Sequence, residues 1–103
     1  MSQLAYLVIR VGLKWTDVFR LVPGESVTLG RAATNQIVIK DDRCSRSHAE
    51  IFSSSGQWIL RDLESRNGTF VGEQRVSGDW TLHPGEVIRV GRSQLVFVHR
   101  LTE

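Results

Sequence analysis

The feature that most constrains this chain is its punctuation. Short runs rich in Val, Ile, Leu and aromatic residues recur from one end to the other, and each is closed within a few residues by Gly, Pro, Asn, Asp or Ser. Nowhere does an apolar period of 3.6 residues persist long enough to make an amphipathic helix. Runs of this length and regular spacing belong to an all-β sandwich or barrel. The candidate strands are Leu4 to Arg10, Trp15 to Leu21, Ser26 to Leu29, Gln36 to Ile39, His48 to Ser53, Trp58 to Asp62, Thr69 to Val71, Gln74 to Val76, Glu86 to Val90 and Gln94 to His99. Pro23-Gly24 and Pro84-Gly85 read as turn pairs at hairpin ends, because Pro fixes φ and Gly accepts the positive φ that follows. Ser53-Ser54-Ser55-Gly56 reads as a flexible hairpin loop.

A chain of 103 residues suits one domain, residues 1–103, with a single core that needs neither metal nor disulfide. Hydrophobic residues make up 41% and charged residues 23%, inside the range of folded soluble proteins. Cys44 is the sole cysteine, which excludes an intrachain disulfide or a cysteine metal cluster and makes a reducing cytoplasm the expected compartment. The N-terminus lacks the pattern of a cleaved leader, and no apolar run reaches membrane-spanning length, so neither export nor insertion is expected. Of 13 basic residues only Lys14 and Lys40 are lysines. The planar arginine fork suits bidentate pairing with phosphate or carboxylate. Eleven acidic residues are interspersed and the formal charge is +2, so a local anion site fits better than the one-signed surface of a nucleic-acid binder.

Two polar segments are too long for minimal turns: Lys40 to Ser47 and Glu64 to Gly68. Loops at one end of a rigid sandwich commonly carry binding residues. Gly30-Arg31 closes one strand, Ser45-Arg46-Ser47-His48 opens another, and Ser65-Arg66-Asn67-Gly68-Thr69 leads into a third. If these loops converge, Arg31, Arg46 and Arg66 with Ser45 and backbone amides form an anion pocket. Taken singly, each has a plainer explanation. Loop arginines are usually solvated, serines near strand starts usually form turns, and Asn-Gly is the commonest tight hairpin turn.

Order and spacing change that balance. Gly30-Arg31, Ser45-Arg46-Ser47-His48-Ala49 and Asn67-Gly68-Thr69, set among these strands, resemble the forkhead-associated (FHA) domain family over essentially the whole chain. The resemblance implies an antiparallel two-sheet β-sandwich of about eleven strands, with recognition loops at one end and the termini together at the other. It implies a module that binds a phosphothreonine-containing partner, without cofactor or metal, as a monomer and usually within a larger signalling protein. Arg31 is then the main phosphate ligand, Ser45 a hydroxyl donor, Arg46 a second phosphate or peptide contact, and Asn67 the amide that holds the ligand backbone. His48 is architectural, and Gly30, Gly68 and Thr69 support the loops. Arg66 is a candidate for the phosphate or its neighbours, and Thr34, Asn35 and Arg43 are candidates for flanking contacts. Where the family commonly has Asn-Gly after the next valine, this chain has Gly72-Glu73, which puts that asparagine's ligand contact in doubt.

Two rival readings stand beside this one. A hydrolase would enlist Ser45 or Ser47 with His48 and Asp62, but adjacent strand positions face opposite sides and no nucleophile elbow is present. His48, His83 and His99 are too scattered for a zinc site. A phosphate-independent binder would have no physical need to keep Arg31, Ser45 and Asn67 together. Trp15, Trp58 and Trp80 are expected in the core or sheets rather than stacked on bases.

Overall fold

A computed structural model describes residues 4–11 and 13–99, which form eleven β-strands in two sheets with no helix among the described residues. In chain order they are β1 (Ala5–Val11), β2 (Lys14–Leu21), β3 (Val27–Gly30), β4 (Ile37–Val38), β5 (Ala49–Ser54), β6 (Gln57–Asp62), β7 (Thr69–Val71), β8 (Gln74–Arg75), β9 (Asp79–Thr81), β10 (Val87–Val90) and β11 (Ser93–Val98). One sheet has the order β2-β1-β11-β10-β7-β8 and the other β4-β3-β5-β6-β9. Every described pairing is antiparallel except β3 with β4. The expected closeness of the termini falls outside the described residues.

Ten strands lie within a residue or two of where the sequence places them. β9 is the addition. Its residues stand between Ser77-Gly78 and Pro84-Gly85 and so read as loop, and it joins the sheet by pairing with Ile59–Arg61, where Asp79 takes a bidentate pair of hydrogen bonds from Arg61 at 2.7 and 2.9 Å. The turns also sharpen. Ser55 and Gly56, both at positive φ, make a tight two-residue turn between Ser54 and Gln57. Pro23-Gly24 and Pro84-Gly85 do not close hairpins. They carry the chain across from one sheet to the other, β2 to β3 and β9 to β10, with Gly24 and Gly85 at φ near +90°.

The core is built by period-2 alternation on both inner faces. Leu7, Leu95, Phe97 and Ile88 from the first sheet meet Leu29, Ile51 and Leu60 from the second, and all seven are completely buried. Trp58 joins this core and Trp80 packs at its border, whereas Trp15 is 57% exposed on β2. With the sheets fixed, the segments 31–36, 39–48 and 63–68 emerge at one end, where β3 finishes, β5 begins, β6 finishes and β7 begins.

Candidate functional site

Ser45 is the junction at which the three loops meet. Its carbonyl accepts the Arg31 N–H at 2.9 Å, and its N–H donates to His48 Nδ1 at 2.9 Å. Its hydroxyl oxygen accepts the Arg66 N–H, also at 2.9 Å. Because Oγ serves there as an acceptor, its own proton remains to be donated outward. Arg31, Ser45 and Arg66, far apart in the sequence, are thus tied by direct hydrogen bonds. Arg46 is next to Ser45, and its carbonyl receives Ala32 N–H and Asn35 Nδ2 at 3.2 and 2.7 Å.

The side chains at this end divide into those used by the scaffold and those left for a ligand. The Arg31 Nε donates to the Cys44 carbonyl at 3.1 Å, which orients the guanidinium while Nη1 and Nη2 make no hydrogen bond or ion pair among the described residues. The guanidinium groups of Arg46 and Arg66 are exposed and equally unengaged among the described residues. Asn67 donates from Nδ2 to the Arg43 carbonyl at 2.8 Å, clamping one recognition loop to the other, and its Oδ1 makes no hydrogen bond among the described residues. A cleft of about 320 Å³ opens beside it, lined by Arg43, Asn67, Gly68, Phe70, Arg89 and Gly91.

His48 is wholly buried beneath these groups. Since Nδ1 accepts from the Ser45 N–H, the proton sits on Nε2, which donates to the Gly68 carbonyl at 2.9 Å. One ring therefore holds two loops in register. Gly30 is required for a different reason: a Cβ there would collide with the Arg46 carbonyl and come within 2.9 Å of Asn35 Nδ2. Gly68 adopts φ +91°, a conformation costly to residues bearing a Cβ.

The loop from β6 to β7 is wired to one carboxylate, Asp62, which the sequence alone suggests only as a triad member. Asp62 Oδ1 accepts the Ser65 hydroxyl at 2.5 Å and the buried Thr69 hydroxyl at 2.6 Å, and Oδ2 accepts the Ser65 N–H at 3.1 Å. Burial pushes this carboxyl up, but those hydrogen bonds outweigh it and hold Asp62 below the ordinary aspartate range. Ser65 Oγ in turn accepts the Gly68 N–H. Asp41 does similar work for the loop after β4, accepting the Arg92 and Arg43 N–H groups at 2.6 and 2.9 Å.

A hydrolytic triad is not assembled. Both His48 nitrogens face backbone partners, Asp62 faces Ser65 and Thr69, and neither Ser45 Oγ nor Ser47 is bonded to the imidazole. Asn35 also moves out of the flanking candidates. It is buried, and its Nδ2 binds the Ala32 and Arg46 carbonyls, so it shapes the loop from within. Thr34 and Arg43 stay exposed at the rim. The Gly72-Glu73 turn keeps the β7–β8 hairpin, with Val71 opposite Gln74, and it sits at the end of β7 away from Thr69.

The sequence model of the FHA domain matches residues 27–91. An ABC transporter ATP-binding/permease protein of Mycobacterium tuberculosis is 42% identical over 76 residues, which is 74% of this chain and 9% of that protein. The transcriptional regulator EmbR of Mycobacterium tuberculosis, solved in complex with a low-affinity phosphopeptide, superposes with TM-score 0.84 at 27% identity, covering 98% of this chain and 26% of that one. A structure solved in a study of phosphothreonine-dependent FHA domain interactions gives TM-score 0.80 at 30% identity, covering 94% of this chain and 99% of that one. The chain spans 9% of the length of the ABC transporter protein and 57% of the FHA domain-containing protein FhaB of Mycobacterium tuberculosis, to which it is 29% identical over 90 residues.

Proposed function

The chain belongs to the FHA domain family, and from that premise we propose that it is a phosphothreonine-dependent interaction module, residues 1–103 forming one recognition domain. One observation carries the site assignment. Ser45 receives a backbone N–H from Arg31 on its carbonyl and one from Arg66 on its hydroxyl, so the three loops meet at this residue, and the arginines bonded to it, with Arg46 next along the chain, carry guanidinium ends unengaged among the described residues. A phosphothreonine carries close to two negative charges and three strong acceptors, and forks plus a hydroxyl satisfy these without a metal. Arg31 and Ser45 take the phosphate, Asn67 Oδ1 takes a backbone N–H of the ligand, and Arg46 and Arg66 contribute phosphate or flanking contacts.

The module binds and does not transform its ligand. It acts as a monomer in the cytoplasm and within a larger regulatory protein, the last supported by the small share it spans of its relatives. The threonine methyl offers selectivity over phosphoserine of about 1–3 kcal/mol. The test is binding of a phosphothreonine peptide library, with unphosphorylated and phosphoserine controls, to wild type and Arg31→Ala. Because Arg31 is exposed, its removal is expected to cost about 1.5–3 kcal/mol of affinity, the range for hydrogen bonds to charged groups, while leaving the fold intact. Absence of phosphate-dependent binding across the library would sink the proposal.

A further inference from the structure

Each sheet ends in two edge strands, and two of those edges face one another. β2 closes the first sheet and β4 the second, and Thr16 and Asp17 of one line the same cleft as Val38 of the other, an opening of about 710 Å³ on the flank of the sandwich. Its floor is apolar. Ile9 packs against the core and Ile39 is buried, while Val38 is 40% exposed, and all three line the opening.

The rim above this floor has no net sign. Lys40, Arg43 and Arg92 stand there with Asp17, Asp41 and Asp42, and Asp41 is already engaged by the Arg92 and Arg43 N–H groups. A balanced rim over an apolar floor selects by apolar contact rather than by charge. The cleft is also continuous with the recognition end. Arg43 lines both it and the smaller cleft beside Asn67, and the Asn67 side chain is bonded to the Arg43 carbonyl. A third opening, of about 420 Å³ over Trp58, Leu82 and Phe97, has no such continuity, because it lies against Pro23 and Pro84 in the turns at the other end of the sandwich.

We infer that the cleft between β2 and β4 is a second subsite for the same phosphorylated partner, holding one large apolar side chain of an extended segment that runs on from the phosphothreonine past Asn67 and Arg43. This subsite rests on the phosphothreonine reading above. An extended chain advances about 3.3 Å per residue, so about two residues cross a cleft the size of the one beside Asn67. The anchor therefore stands at least about four residues from the phosphothreonine, beyond the contacts of the loops that hold the phosphate. A leucine, isoleucine, methionine or phenylalanine at that spacing covers Val38 and the apolar floor beside it. Burial of one such side chain is enough to raise affinity roughly tenfold or more.

The probe is a short phosphothreonine peptide selected from the library, extended on either side by randomised residues and selected again on the whole chain and on Val38→Glu and Thr16→Arg. Both substitutions lie at exposed positions of edge strands and leave the core untouched. Extended peptides should enrich a large apolar residue at a fixed spacing of about four or more from the phosphothreonine, and should bind wild type roughly tenfold or more tighter than the short parent. That gain should vanish in both variants. The short parent should bind them as it binds wild type, which also shows that they fold. The inference is overturned if extension enriches no apolar position, if the gain survives in the variants, or if the extended peptide binds equally well without its phosphate. Concentration-dependent self-association of the chain that Val38→Glu abolishes would assign the cleft to a second copy and overturn it as well. If the short peptide fails to bind wild type, the phosphothreonine reading falls and the subsite falls with it. If the short peptide binds and extension adds nothing, the subsite alone falls.

Discussion

At the scale of single residues, the side chains that build the site and those that meet the ligand are different sets, and substitutions should separate them. His48 is fully buried and bonded at both nitrogens. Removing its ring in His48→Ala leaves the Ser45 N–H and the Gly68 carbonyl without partners and opens a cavity, a loss of roughly 2–4 kcal/mol of stability. Urea denaturation should show that loss together with weaker phosphopeptide binding, in contrast to Arg31→Ala, where binding falls and stability holds. A His48→Ala variant as stable as wild type would contradict the scaffold role. Cys44 supplies a second check. It lies buried beside Asp41, and burial first, then the Asp41 charge, pushes its thiol up to about 11 against the opposing pull of Arg31. The thiolate is the reactive species. A thiol reagent at neutral pH should leave the folded protein unlabelled and label it readily in denaturant. Fast labelling of the native chain would mean that the loop carrying Arg31's carbonyl partner opens.

At the scale of elements, the β6–β7 loop depends on Asp62, and its acid response has a definite sign. The folded-state value of Asp62 lies below the ordinary one. The carboxylate therefore contributes stability in full above about pH 4, and the contribution is lost as pH falls through the lowered folded value. Asp62→Asn keeps the shape but removes the charge, so the gap in urea midpoint between wild type and variant should be widest near neutrality and close in acid. A gap that is constant with pH would show that the charge has no part in holding the loop. The same loop shows what the sequence can disclose. Arg31, Ser45, His48 and Asn67 were legible because residue type and spacing mark them as a set. The strands were legible from apolar runs between turn residues, and β9 was not, because Ser77-Gly78 before it and Pro84-Gly85 after it make the whole segment read as a loop. Asp62, Asn35 and Asp41 escaped for another reason: their structural roles are hydrogen bonds to backbone and hydroxyl groups that become neighbours only when separate loops converge. Nothing in the local sequence distinguishes such a carboxylate or amide from a solvated one.

At the scale of the whole molecule, the family match and the folding unit do not coincide. Residues 27–91 hold every candidate phosphate contact, yet β1, β2 and β11 lie outside that span. Those three strands are half of the six-stranded sheet, and they contribute Leu7, Leu21, Leu95 and Phe97, each completely buried. Full burial of a large apolar side chain is worth about 1.5–3 kcal/mol, so these four amount to roughly 6–12 kcal/mol. Domains of this size have a net stability of about 5–15 kcal/mol. The two quantities are comparable, and the fragment also exposes the inner face of the second sheet, where Leu29, Ile51 and Leu60 lose part of their cover. Residues 27–91 alone are therefore expected to lack a cooperative transition in urea and to lose phosphopeptide binding although every ligand group is present. The full chain should unfold in one step. A fragment that folds cooperatively and binds would show that the first sheet is dispensable, and that the loops are held by the second sheet and their own hydrogen bonds.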